Sequence, residues 1–243
     1  MNRLFRAPPV PSYATLDIDG ASVRVTVRQV PRARHYRLTV DARKGPILTF
    51  PKGGRWTEAE AFLDRQRGWL QARLDRQAVP VVFEGGVQLP LRGEPHTIVS
   101  TGRSRGNVQR RLSGGGAALL VPGGEAHLAR RLTDWLKAEC RTDLELRVGL
   151  HAERLGVRHE AIRIRDQSSR WGSCSSAGRL NFNWRLILAP EFVLDYVAAH
   201  EVAHLIEMNH SPAFWETVRR TLPDMQHGRD WLRAHGRGLR AYG

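Results

Sequence analysis

The segment His200-Glu201-Val202-Ala203-His204 carries the residue types that hydrolytic metal chemistry needs. On a helix, positions four apart share a face, so both imidazoles can reach one metal ion. The carboxylate of Glu201 lies beside that face, where it can take a proton from a metal-bound water. Zinc suits such a site, because imidazole nitrogens bind it at about 2.0–2.1 Å in tetrahedral geometry, and three protein ligands plus water make the catalytic form. Two histidines satisfied on a buried helix face are the bland alternative, and a third ligand decides between them. His210 is the candidate. On a continuing helix it would lie about 240° round from His204, so the chain must turn first. Asn209 tolerates left-handed backbone, and Ser211-Pro212 can cap and start a new helix. The spacing therefore predicts that the active-site helix ends near Met208 and that His210 swings back to the metal. Glu216 on the next helix is the alternative third ligand. Glu207 is a poorer one, three residues past His204 and directed along the helix. His35, His96, His127, His151, His159, His227 and His235 have no ligand spacing, and surface or structural roles suit them.

The elements that must position these groups follow from periodicity. Pro190 fits a first-turn position, and Val193, Tyr196, Val197, His200, Ala203 and His204 form one inward stripe, giving a helix near 190–207. Further helices are expected near 212–221 and 229–239. Upstream, Leu128, Leu132, Leu136, Cys140, Leu144 and Val148 recur every four residues, so a long helix begins after Gly123-Gly124 and ends at Gly156. Ile162 to Arg165 and Arg179 to Leu188 read as strands. In the first half, Val23, Val25 and Val27 alternate with polar residues, as do residues 36–40. Ile47 to Phe50 follows the Lys44-Gly45-Pro46 turn, completing an expected antiparallel meander. Thr57 with Glu60 makes a capping box for a helix carrying Phe62, Leu63, Gln66, Trp69, Leu70 and Leu74, closed by Pro80. Short strands fill 81–122, with a loop tip at 114–116. No internal repeat is visible. The fold class is α+β: an antiparallel β-rich region with one helix over 1–124, then a helical region with a small sheet over 125–243.

Composition bounds the setting. The chain has 243 residues, 41% of them hydrophobic, and no apolar run long enough to span a bilayer. Met1 to Tyr13 has no apolar core segment, so no signal peptide is expected. Cys140 and Cys174 are too few for a disulfide framework, and a cytoplasmic protein is the expectation. The formal charge of +14 is carried almost wholly by arginine, since lysine occurs only at Lys44, Lys52 and Lys137. Such an excess can serve a polyanion or nucleic-acid partner, or can reflect base composition alone.

At Gln167-Ser168-Ser169-Arg170-Trp171-Gly172-Ser173-Cys174, followed by Asn181-Phe182-Asn183-Trp184-Arg185-Leu186, the chain resembles the YgjP-like metallopeptidase family. His200 to His204, Asn209-His210-Ser211 and Phe214-Trp215 match that family's metal-site signature. The resemblance covers most of the chain and implies a small zincin related to the SprT-like proteases, with His200, His204 and His210 as zinc ligands and Glu201 as general base. The ligand spacing is also that of metzincins, but their motif has a glycine where this chain has Glu207, and the Arg-Trp-Gly-Ser-Cys segment argues the same way. Zincins commonly bind an extended peptide against an edge strand over the metal helix. Arg170, Trp171, Gly172 and Ser173 are the substrate-binding candidates on that strand, with Gly172 allowing close backbone approach and Trp171 anchoring it in the core. Core packing alone is the more direct reading of each of Trp171, Trp184 and Trp215. Cys174 suits a small buried apolar role.

The chemistry expected is zinc-assisted hydrolysis of a peptide or protein, with Arg170 as the candidate oxyanion donor. Two other readings keep parts of the same evidence. One is hydrolysis of a nucleoside triphosphate at the same site, although no Walker-type loop is present. The other is a nucleic-acid-binding protein, or a protease acting on DNA-bound targets, using the basic surface.

Overall fold

The computed structural model describes residues 10–18, 21–41, 44–75, 80–113, 116–167 and 170–243. Most of the N-terminal proline-containing segment, two glycines of the expected loop tip, and Ser168 and Ser169 lie outside the described residues. The architecture is mixed α and β, and the chain divides into two compact units, Met1–Ala78 and Val79–Gly243.

The first unit contains β1 (Tyr13–Ile18), β2 (Ala21–Val30), β3 (Arg37–Asp41), β4 (Gly45–Pro51), α1 (Trp56–Arg65) and α2 (Arg67–Asp75). Alternation along the strands turns Val25, Val27, Leu38, Leu48 and Phe50 inward, where they form a core with Ala59, Leu63 and Leu70 of the helices. The sheet order is β1-β2-β4-β3, and β2 runs parallel to β4, with Thr26 opposite Ile47. The antiparallel meander expected here is therefore corrected. Alternation identifies a strand but not its partner, and β4 inserts between β2 and β3. The expected single helix is also divided, at Gln66. It begins at Trp56 with Arg55 as its N-cap and no capping side chain, so Thr57 lies inside the first turn and the capping box does not form.

In the second unit, β5 (Gln88–Leu91), β6 (Glu94–Ser100), β7 (Gln109–Ser113) and β8 (Gly116–Val121) form a sheet of order β5-β6-β8-β7, again with its central pair parallel. The two four-stranded sheets thus share one topology, a repeat that the residue pattern does not reveal. The helix α3 (Glu125–Leu155) starts at Gly124 and stops at Gly156, whose φ of 67° is the left-handed C-cap that glycine adopts at low cost. Its six stripe residues from Leu128 to Val148 are all at most 1% exposed. They share one core with Leu89, Leu91, Ile98, Leu119 and Val121. The division expected at residue 124 thus falls inside this unit, between a strand and the helix that packs on it.

The rest of the unit is β9 (Ala161–Arg165), β10 (Gly172–Cys174), β11 (Arg179–Asn183), a 3-10 helix over Trp184–Leu188, α4 (Glu191–Ala203), α5 (Pro212–Thr221) and α6 (Met225–Leu239). The strand expected to run to Leu188 stops at Asn183, whose side chain accepts the amide of Arg185 and starts the 3-10 turn. In the small sheet, β11 is central, pairing parallel to β9 and antiparallel to β10, which is an edge strand. No helix among the described residues is long and apolar enough to cross a membrane.

Candidate metal centre

The element that presents the chemistry is α4, and a buried polar pin sets its position. His151 of α3, 1% exposed, has Nε2 3.0 Å from Asp195 Oδ1 on α4 and Nδ1 2.7 Å from Thr221 Oγ1 on α5. Burial pushes the Asp195 carboxyl up, but His151, Arg147 and Arg154 outweigh it and hold the group below the usual carboxylate range. His200 follows one turn and a residue later.

The helix ends sooner than Met208. Ala203 is its last residue and His204 its C-cap. The amides of Leu205 and Ile206 bond to carbonyls three residues back, both at 3.0 Å, which tightens the chain out of α-helical pitch. Glu207 then contributes through its backbone. Its carbonyl lies 2.9 Å from His204 Nδ1, so Nδ1 carries the proton and Nε2 keeps its lone pair.

His210 does swing back, with Nε2 3.1 Å from His200 Nε2. The return is made by side chains. Asn209 Oδ1 accepts the amide of Ser211, and Ser211 Oγ accepts that of Phe214, capping α5 with Pro212 in its first turn. The left-handed backbone expected at Asn209 is not used, since Arg92 is the non-glycine residue with positive φ among those described. The same cap seats Phe214, fully buried, as a floor under the three imidazoles. Its ring stacks on His204 at 4.4 Å and lies 4.9 Å from both His200 and His210.

Ligand atoms of His200, His204 and His210 lie within 4.8 Å of one another, and no other group of three metal-binding side chains occurs among the described residues. Glu216 is outside this group, exposed, and paired with Arg219 at 3.1 Å. The donor set fits zinc. Two ligands on a tetrahedral zinc sit about 3.3 Å apart, close to the 3.1 Å between the Nε2 atoms of His200 and His210.

Electrostatics keeps the His200 and His204 imidazoles neutral. Burial, then the neighbouring His204, His210 and Arg229, pushes His200 down to about 3, and burial also lowers His204. Both are neutral, as metal ligation requires. Glu201 is 4% exposed, and burial pushes its carboxyl up to about 8 against the pull of Arg170. Its Oε2 has no hydrogen-bond partner among the described residues.

The segment before the hairpin turn is placed beside this carboxylate. A Cβ on Gly172 would lie 2.6 Å from Glu201 Cγ and 2.7 Å from Cδ. Glycine is required here because β10 passes directly over Glu201, so the space it leaves is filled by the carboxyl group. We expect Gly172→Ala to displace that group and to cost about 1–3 kcal/mol of stability as overpacking, which thermal denaturation checks. Ser173 sits on the opposite face, where its hydroxyl is 3.3 Å from Asn181 Nδ2. Trp171 is partly buried with Arg240 4.3 Å above its ring, and Arg170 is exposed. Cys174 is partly buried, and burial, then the charge of Glu201, raises its thiol.

Aromatic rings frame the cluster. Tyr196, on the inward stripe read from the sequence, lies edge-on to His200 at 5.9 Å, and Trp215, of the Phe214-Trp215 pair in the metal-site signature, stacks on His210 at 5.8 Å. Arg229, 4.4 Å above the Trp215 ring, left no signal in the sequence, because it comes from another helix.

A model of the family described as YgjP-like, metallopeptidase domain matches residues 34–235. No curated protein matches the chain. Among solved structures, the chain is similar to the metallopeptidase zymogen abylysin of Pyrococcus abyssi, with 23% identity and a TM-score of 0.35, over 38% of this chain and 92% of that one.

Proposed function

The chain belongs to the YgjP-like metallopeptidase family, and from that premise we propose that it is a zinc-dependent peptidase with His200, His204 and His210 as ligands and Glu201 as general base. The observation that carries the reading is the convergence of His200 and His204, at the end of α4, with His210 from the turn that follows, beside the buried carboxyl group of Glu201. Zinc, when bound, supplies a Lewis acid that polarises the scissile carbonyl and lowers the pKa of water from about 15.7 towards 7. Glu201 takes the proton of the attacking water and returns it to the leaving nitrogen.

The substrate is an extended peptide or an unfolded protein segment. Strand β10 pairs with β11 on one side only, so its other edge offers backbone N–H and C=O groups for strand addition. Trp171 anchors that edge under Arg240, and Arg170 directs its charge towards Glu201.

The test is to remove metal with a chelator and assay an unstructured protein. The stripped chain should be inactive, and one equivalent of zinc should restore cleavage, with new peptide N-termini found by sequencing. Undiminished cleavage by the stripped chain, or none by the zinc-loaded one, would end the reading.

A further inference from the structure

Arg229 differs from Arg92, Arg179 and Arg185: those hold carboxylates at 2.6–2.8 Å, whereas Arg229 makes no ion pair or hydrogen bond among the described residues. Its neighbour Asp230 is occupied by Gln226, at 2.8 Å. The guanidinium is nonetheless fixed in place, because it lies 4.4 Å over the ring of Trp215. A planar cation on an indole face keeps its N–H edge free for a planar anion.

The position is set by packing at the residue before it. A Cβ on Gly228 would collide with Tyr196 Cβ and lie 3.0 Å from the Phe192 carbonyl. Helix α6 therefore approaches α4 at backbone distance, and residue 229 emerges at the rim of the imidazole cluster. Trp215 links the two, stacked on His210 at 5.8 Å and edge-on to His200 at 5.7 Å. The guanidinium is thus within about 10 Å of the His210 ring, the span of about three extended residues. That reach covers a group up to about three residues away along a bound peptide.

We propose that Arg229, seated on Trp215, is a substrate subsite that recognises a carboxylate on the peptide near the scissile bond. The inference rests on the peptidase reading. The carboxylate can come from an acidic side chain or from the peptide's own C-terminus, since both present the same two oxygens to the guanidinium edge.

The experiment uses the zinc-loaded full chain with Glu201→Gln, which binds without turnover, and calorimetric titration with N-acetylated hexapeptides. One pair differs only in a free C-terminal carboxylate against a carboxamide. A second, with amidated ends, differs in glutamate against glutamine. The carboxylate member of at least one pair should bind about 5- to 10-fold tighter, as expected for an exposed but pre-positioned bidentate pair. Adding Arg229→Ala should erase that preference and leave the affinity of the neutral member unchanged, and Arg229→Lys should retain only part of it. Preference in the first pair assigns the chain end, and preference in the second assigns the side chain. Equal binding within both pairs, no binding of any member, or a preference that survives Arg229→Ala overturns the subsite. Turnover of the same peptides by the chain with Glu201 intact is measured separately. Absent cleavage there would sink the peptidase reading whatever the carboxylate preference.

Discussion

Replacing Glu201 by glutamine lowers kcat/KM for peptide hydrolysis by about 1,000-fold or more, within the range that general acid–base groups contribute, while zinc content stays unchanged. Glutamine keeps the shape of the side chain and lies off the ligand face, so the histidines are undisturbed. What it loses is the carboxylate proposed to accept the water proton. Peptide turnover measured beside zinc stoichiometry checks both halves of the statement. A variant with wild-type activity would remove Glu201 from the mechanism.

The same substitution stabilises the metal-free protein at pH 7, and the sign follows from burial. The Glu201 carboxyl has a folded pKa of about 8 against 4.5 when exposed. A carboxyl raised in this way favours the folded state only while protonated. Its penalty is absent below pH 4.5, grows as the pH rises, and levels off near pH 8. At pH 7 it amounts to about 3 kcal/mol. Glutamine escapes the charge but leaves a buried amide short of partners, which costs about 1–2 kcal/mol. Denaturant unfolding of the metal-free chains should therefore show a gain of about 1–2 kcal/mol for Glu201→Gln at pH 7 that shrinks as the pH falls and changes sign below about pH 5–6. A loss at pH 7, or a gap independent of pH, would contradict the buried-carboxylate account. The proposed general base thus sits where the fold would be better served by a neutral group.

How much of this was legible beforehand depended on the range of the interactions. The helix α3 was readable end to end, because a four-residue apolar stripe and two bounding glycines are local signals, and its stripe is buried as expected. His210 was legible as a returning group because Ser211-Pro212 announces a new helix. The end of α4 was misplaced by five residues, since it depends on how the amides of Leu205 and Ile206 choose between carbonyls three and four residues back. The parallel pairing of β2 with β4 was hidden because alternation is the same for either strand sense. Gly172 was singled out for closeness to a substrate backbone, yet what it approaches is Glu201, 29 residues on. Arg229 and the His151–Asp195–Thr221 pin are contacts between helices, and spacing within one helix carries no trace of them.

The third ligand carries the other large effect. His210→Ala should weaken zinc binding by more than about 100-fold, beyond the 10- to 100-fold typical of losing a group that merely supports a ligand. Glu216→Ala should leave it unchanged, because that carboxylate is committed to Arg219 on the solvent side of α5. His210 is exposed, so its removal should alter the stability of the metal-free chain by no more than about 0.5 kcal/mol. This separates ligation from folding. Zinc that binds only the folded state stabilises it by RT ln(1 + [L]/Kd) and so raises the melting temperature. Excess zinc should therefore raise it for the wild type and for Glu216→Ala, and far less for His210→Ala at the same concentration. Full zinc stabilisation in His210→Ala together with its loss in Glu216→Ala would move the third ligand to α5. Because His200 and His204 stand on one helix and are held neutral by burial, His210→Ala should keep a residual two-histidine affinity that Ala at both His200 and His210 abolishes.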